Sequence, residues 1–367
     1  MARGVKAAQP KLRSRAGGAA IPLDDRDKRL MNVLQSRFPL QPEPWPDIAA
    51  RAELPVPEAM SRTERLLQGR IIREITPIFD TRALGYQSML VAAKVDADHP
   101  QRAAKIVNSH PGVSHNYLRT HEFNLWFTIA TPPDSALGLA GTLEVIQALT
   151  GAESIRQLPT IVLFKINMNL EMEGGTPDLV KAVEAAPPRE LERQPYDDFD
   201  IAVIRALQGP MQVAERPYDS AAAAVGVSPE AFVEHLDGMR ERKILRRVAA
   251  ILYHRRAGFS ANGMGVWKVR DDQILEVGGR MAAVRGISHC YQRPTYADWP
   301  YSVFTMAHGR SKDECDAVLD SIADMTGLHG DDRATLYSST EYKKVRLHYF
   351  TPDYAEWEKQ YGSATSF

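Results

Sequence analysis

Cysteine is scarce. Cys290 and Cys315 are the only two in 367 residues, too few for a disulfide framework or a four-thiolate metal site, and they fit a reducing compartment. Long apolar runs are missing, since no stretch approaches the roughly 18–20 residues that span a bilayer. Charge of one sign is missing too: 45 Lys and Arg stand against 46 Asp and Glu, so a net −1 gives no general attraction to nucleic acid. The basic, Gly- and Ala-containing start, Met1 to Ala20, has no apolar h-region and reads as a flexible tail, not a signal peptide. Gly263-Met264-Gly265 and Gly278-Gly279 lack the spacing of a dinucleotide fingerprint, and no Cys-x-x-Cys-His haem attachment occurs. Met89, Met168 and Met172 read as packing and not as ligands. What is left is a soluble, cytoplasmic globular chain, 44% hydrophobic and long enough for two to four domains.

What is present, above all, is repetition. Leu23-Asp24-Asp25-Arg26-Asp27 returns as Tyr196-Asp197-Asp198-Phe199-Asp200. Gly112-Val113-Ser114-His115-Asn116-Tyr117-Leu118-Arg119 returns as Gly286-Ile287-Ser288-His289-Cys290-Tyr291-Gln292-Arg293. The offset drifts only from 173 to 174, so the chain holds two homologous halves, joined by an acidic Pro/Gly-containing linker over 173–194. Each half begins with an Asp-capped helix, then two shorter ones (in the first half Trp45 to Ala52 and Pro57 to Gln68). A two-stranded wing from Gly69 to about Tyr86 follows, completing a helix-turn-helix plan. Strands at 89–95, 113–119, 123–130 and 154–166, with helices at 98–109 and 135–149, give the βαββαβ order of a ferredoxin-like domain. The fold class expected is α+β, two tandem halves with helix-turn-helix domains over 21–87 and 195–260. Their ferredoxin-like domains cover 88–172 and 261–352, and 353–367 is a C-terminal tail.

Such a sheet has one face under its helices and one face free, and side chains alternate between them. Phe123, Leu125, Phe127 and Ile129 are expected to face the helices, leaving Asn124, Trp126 and Thr128 on the free face. Val113, His115, Tyr117 and Arg119 share a parity, as do Ile287, His289, Tyr291 and Arg293. Near the C-terminus Val345, Leu347 and Tyr349 form the apolar set, opposite Lys344, Arg346 and His348. A face of His, Tyr, Arg, Asn, Trp and Lys suits a large, flat, multiply anionic ligand: cations for carboxylates, rings for a ring. The blander reading, half-exposed strand residues duplicated along with the gene, stands beside it.

The layout resembles the Lrp/AsnC family of transcriptional regulators. The strings Gly112 to Arg119 and His121-Glu122-Phe123-Asn124-Leu125-Trp126-Phe127-Thr128, with Gly286 to Pro294, Trp299-Pro300-Tyr301 and Met306-Ala307-His308-Gly309, more specifically resemble siroheme decarboxylases. The resemblance implies two related subunits fused into one chain. It implies removal of the C12 and C18 acetate carboxylates of siroheme as CO2, giving 12,18-didecarboxysiroheme on the way to haem d1 or, by an alternative route, to haem. No added cofactor is expected, because the iron arrives in the substrate. His115 and His289, then His121, are the expected acid–base residues, and His308 is a candidate axial ligand. Arg119, Arg293, Lys344 and Arg346 are expected to anchor carboxylates, Tyr117, Tyr291 and Trp126 to pack on the ring, and Asn124 to bond a carboxylate. Ser302 and Phe304 stand where counterparts of Asn124 and Trp126 belong, so the two faces are not expected to be equivalent. Siroheme is the expected partner; a homodimer and contacts with other haem-biosynthesis enzymes are compatible with it, and no membrane is. Two rival readings are a DNA-binding regulator, disfavoured by the mixed charge of both recognition helices, and a tetrapyrrole sensor without chemistry.

Overall fold

The computed structural model describes residues 21–166, 193–253, 261–309 and 311–365. The N-terminal tail, Met168, Met172 and nearly all of the linker lie outside the described residues.

The repeated Asp-Asp-x-Asp strings are helix starts. Asp24 accepts from the Asp27 N–H (2.7 Å) and Asp27 accepts from the Asp24 N–H (3.1 Å), a capping box that opens α1 (Asp25–Ser36). Asp197 and Asp200 do the same for α6 (Asp198–Leu207). Both inner carboxylates are buried and need partners: Asp27 takes the guanidinium groups of Arg62 and Arg65, and Asp200 takes that of Arg242 and the His235 ring. Helices α2 (Trp45–Ala52) and α3 (Val56–Gln68), and their counterparts α7 (Asp219–Ala224) and α8 (Pro229–Glu241), complete the two helical units. One apolar core, including Leu30, Phe38, Trp45, Val203, Tyr218 and Phe232, serves both.

The expected wings are not hairpins within each half. Strand β1 (Ile72–Phe79) pairs with β7 (Leu245–Leu252) of the other half, from Ile72 opposite Leu252 to Phe79 opposite Leu245. No second wing strand forms before Tyr86, and β2 (Gln87–Lys94), the strand expected at 89–95, enters the large sheet. Asp80 forces the separation, accepting from the N–H groups of Arg82 and Ala83 (2.9 and 3.1 Å) to turn the chain away after β1.

The first ligand domain continues with α4 (Pro100–Ser109), β3 (Val113–Arg119), β4 (Leu125–Thr131), α5 (Gly138–Thr150), β5 (Ser154–Leu158) and β6 (Val162–Ile166). The second has β8 (Ala261–Trp267), α9 (Ile274–Ala283), β9 (Ile287–Gln292), β10 (Val303–Gly309), α10 (Lys312–Thr326) and β11 (Arg333–Lys344). Their strands form one sheet in the order β5-β2-β4-β3-β11-β8-β10-β9-β6. Strand β11 pairs with β8 over Arg333–Tyr337 and with β3 of the other half over Ser338–Lys344. The single strand expected from Ser154 to Ile166 is split after Leu158, at Pro159, which has no N–H to donate. Its two pieces nonetheless play the part of β11: β5 pairs with β2 and β6 with β9 of the other half. The sheet therefore runs around until it meets its own chain, helices outside and the two free faces inside. Those faces pack on each other through Trp126, Trp299, Phe304, Met264, Val266 and Leu336.

Three expectations change. Val113 and Ile287 do not share a face with the histidines: the register slips between Val113 and His115, and between Ile287 and His289, so a bulge turns the apolar residue to the helices and the imidazole inward. Phe123 lies before β4 and packs in the inner cluster, not under the helices. The 345–349 segment is not sheet. It leaves β11 as a strap, Val345 exposed and Tyr349 buried in the helix-turn-helix core, where the Tyr349 and Thr81 hydroxyls meet at 2.9 Å. Beyond it the expected tail is helix α11 (Asp353–Tyr361), held by buried Tyr354 and Trp357.

Trp126 is 1% exposed at the centre of the inner cluster. Replacing it with Ala should cost about 3–5 kcal/mol of unfolding free energy in urea titration. A cost below about 1 kcal/mol would show that the inner faces do not depend on this ring.

Candidate active site

The two bulges deliver one constellation twice. In β3 the imidazole of His115 has Ser114 Oγ at 3.0 Å and Thr128 Oγ1 at 3.4 Å from Nδ1. In β9, Ser288 Oγ lies 2.6 Å from Nδ1 of His289 and donates to the Met306 carbonyl (3.3 Å). A Ser288 hydroxyl that donates to that carbonyl accepts from Nδ1–H, the tautomer in which Nε2 of neutral His289 is the acceptor. Burial pushes His115 down to about 4, helped by nearby Lys344 and Arg73. Burial likewise pushes His289 down to about 4, with His308 adding to it. Both rings are therefore uncharged at neutral pH.

The surroundings differ. His115 sits opposite Lys344 at the end of β11, and Arg73 of β1 donates to the Lys344 carbonyl at 3.4 Å. His289 faces His308, ring centroids 6.5 Å apart. His308 lies within β10, not in a turn, on the inward parity it shares with Phe304 and Met306. It is thus beside His289.

The arginines cross between halves. Arg119 donates to the Leu336 carbonyl (3.0 Å), and its guanidinium lies 5.8 Å from the Tyr117 ring and 5.7 Å from Trp126. Arg293 donates to the Leu158 carbonyl and lies 4.9 Å from the Tyr291 ring and 5.5 Å from Phe304. Burial lowers each to about 10, the Nε of each is buried without a hydrogen-bond partner, and neither has a carboxylate in ion-pair range among the described residues. A guanidinium in that condition favours an arriving anion. Tyr117 and Tyr291 lie between the arginine and the histidine of their strand, 6.2 and 6.0 Å from the imidazoles, and burial raises Tyr291.

Other sequence-derived candidates have different occupations. Asn124 is a backbone clamp: its amide donates to the Val95 carbonyl (2.9 Å) and accepts from the Val95 N–H (3.0 Å). Ser302 clamps Val269 in the same two-way manner, so the Asn124–Ser302 correspondence is one of structure. Trp126 is core, its N–H given to the Phe123 carbonyl (2.7 Å). Arg346 bonds Thr76 and the Pro77 carbonyl and approaches Glu74 (3.6 Å), holding the strap to β1. His121 stands beyond the far end of β3 from His115. Its Nδ1 accepts from the Phe123 N–H (3.0 Å), and its ring meets Trp299 and Tyr301 of the other half at 5.2 and 6.4 Å. Burial lowers it too. The strand between them, 115–119, is itself about 13 Å long, so His115 and His121 do not act on one atom.

Aromatic packing fills the middle of the seam between the two inner faces. Cavities of about 550 and 240 Å³ lie on the helix-turn-helix units, lined by Asp24, Glu58, Arg62 and Arg65 and by Arg37, Arg240, Arg246 and Arg247. Sequence reasoning missed Ser114 and Ser288, although the duplicated Ser-His pair was visible. It named Trp299 and Tyr301 without a contact role and missed Arg73, all of which join the histidines only through contacts between distant segments.

Comparison with known proteins agrees with this architecture. The model of the "AsnC-like ligand binding domain" matches residues 83–165 and 256–343, and that of the "Siroheme decarboxylase NirDL-like HTH domain" matches 27–73 and 200–246. A siroheme decarboxylase of Hydrogenobacter thermophilus is 36% identical over 92% of this chain and 98% of its own. A siroheme decarboxylase beta subunit of Methanosarcina barkeri is 37% identical over 41% of this chain and 99% of its own, the length of one half. A crystal structure of the siroheme decarboxylase NirDL in co-complex with an iron-uroporphyrin III analogue superposes with a TM-score of 0.74, 32% identity, and coverage of 93% of this chain and 99% of that one. With both halves matched and the full span of a curated relative covered, the chain belongs to the siroheme decarboxylase family.

Proposed function

We propose that the protein removes the C12 and C18 acetate carboxylates of siroheme as CO2, giving 12,18-didecarboxysiroheme for haem d1 or alternative haem synthesis, with no cofactor beyond the substrate's own iron. The observation that carries the reading is the duplicated, buried Ser–His pair with an acid-free arginine two turns of the pleat away. The siroheme decarboxylase that bound an iron-uroporphyrin III analogue supports a carboxylate-rich tetrapyrrole as the ligand. Because the middle of the seam is packed, the pigment reaches the imidazoles from the rims of the sheet. Arg119, Arg293 and Lys344 bind carboxylates that stay, and Tyr117 and Tyr291 line the ring.

Each decarboxylation consumes one proton, because CH2–COO⁻ becomes CH3 and CO2. Protonation of the ring beside the acetate-bearing carbon makes the macrocycle an electron sink. The C–C pair then flows into the ring as CO2 departs, the exocyclic methylene takes a proton, and the ring proton returns to the base. An imidazole near pKa 4 is the base of this cycle in the empty protein. The substrate's carboxylates, brought alongside it, oppose the lowering and make it an acid when the pigment is bound. His115 and His289 serve the two reacting acetates, with His121 the next candidate for proton return and His308 for the iron.

A DNA-binding role is disfavoured by ion pairing as well as net charge. Arg62 and Arg65 of α3 are engaged with Asp24, Asp27 and Glu58, and Arg242 after α8 with Asp200.

Incubating siroheme with the protein anaerobically should lower the pigment mass by 44 per carboxylate. His115→Ala and His289→Ala should each slow that loss by at least about 100-fold while changing siroheme affinity by less than about fivefold. Wild-type rates in both would remove the histidines from the mechanism. The pH profile has a definite sign. If the charged imidazole acts, kcat/KM falls by about tenfold per pH unit between pH 5.5 and 8, above the free-enzyme value of about 4, while kcat falls later. A kcat/KM that stays flat over that interval would assign the imidazole as a base throughout, since it is already uncharged there.

A further inference from the structure

The two helix-turn-helix units meet in two seams related by the internal repeat. In one, the Phe38 N–H donates to the Val248 carbonyl (2.7 Å); in the other, the Met211 N–H donates to the Ile75 carbonyl (2.8 Å). An offset of 173 maps each seam on the other, so their linings compare residue by residue. Arg37, Arg240, Arg246 and Arg247 in the first correspond to Pro210, Leu67, Arg73 and Glu74 in the second. One seam carries four guanidinium groups; its twin carries one, balanced by a carboxylate.

The cationic seam also encloses space, a cavity of about 240 Å³ lined by Ser36, Phe38, Leu40 and Val248 besides the four arginines. Two carboxylates answer the four cations: Asp80 holds Arg246 at 2.8 and 2.6 Å, and Asp237 holds Arg240. Arg37 and Arg247 are exposed and have no acidic partner among the described residues. Nη1 of Arg240 is withdrawn from water with no hydrogen-bond partner. An N–H donor in that state, beside two unanswered charges, is satisfied by an oxyanion entering the cavity. We propose that this seam is a binding site for a small anion of charge two or more, phosphoryl or polycarboxylate in chemistry, held by Arg37, Arg240 and Arg247. Because those residues come from both helix-turn-helix units, occupancy fastens one unit to the other. The proposal does not rest on the decarboxylase reading.

The test titrates the full chain with inorganic pyrophosphate by calorimetry at constant ionic strength. It compares the wild type with Arg240→Leu/Arg247→Glu, which installs the residues of the twin seam. Saturable binding below about 1 mM in the wild type, weakened at least tenfold in the double variant with siroheme turnover unchanged, is the expected result. No saturation, or equal binding by both proteins, would overturn the proposal. If the double variant does not fold, Arg37→Ala, at an exposed position, should weaken binding at least threefold, and no change there would count against the site equally. A duplex DNA that binds more tightly than pyrophosphate, and loses binding in the same variants, would overturn the small-anion assignment in favour of a nucleic-acid backbone.

Discussion

The exchange of fourth-strand continuations between the halves is the constraint on which the rest depends. Strand β11 begins against β8 and ends against β3, and the β5–β6 pair mirrors it on the other side. Each half completes its own four-stranded sheet, β5-β2-β4-β3 and β11-β8-β10-β9, and the strand then runs on to pair with the edge of the other. The exchange sets Lys344 opposite His115, brings the carbonyls of Leu336 and Leu158 to Arg119 and Arg293, and closes the inner faces on each other. A fused chain keeps both partners of that exchange at the high effective concentration that tethering supplies.

The chemistry follows from the same closure. Burial strips the imidazoles of charge and leaves two arginines without an acid among the described residues, a combination that costs stability and that an arriving anion would relieve. The Ser–His pairs fix ring orientation, and the bulges that aim them inward are local irregularities repeated in both halves. The differences between halves, Lys344 and Arg73 around His115 against His308 beside His289, give each imidazole its own electrostatic setting.

Much of this was legible in the residues. The duplicated strings announced two halves, the Asp-led helices and βαββαβ order announced the domain types, and period-two alternation put Tyr117, Arg119, Tyr291 and Arg293 on one face. What escaped was whatever depends on pairing between remote segments. A bulge adds one residue and flips parity, so alternation misassigned Val113 and Ile287. The wing was misread because β1 finds its partner at 245–252. Asn124 and Trp126 looked like ligand residues because polar and aromatic types on a free face serve equally as clamp and core, and only the second face decides between them.

The histidines of the empty protein are uncharged, and under the proposed mechanism they gain a proton only when the tetrapyrrole's carboxylates arrive. Counting protons taken up on binding measures this directly, by calorimetry of a non-reacting iron uroporphyrin at pH 7 in buffers of different ionisation enthalpy. The account predicts uptake of about one proton for each imidazole that becomes an acid, up to two per chain. Binding with no proton uptake would contradict it.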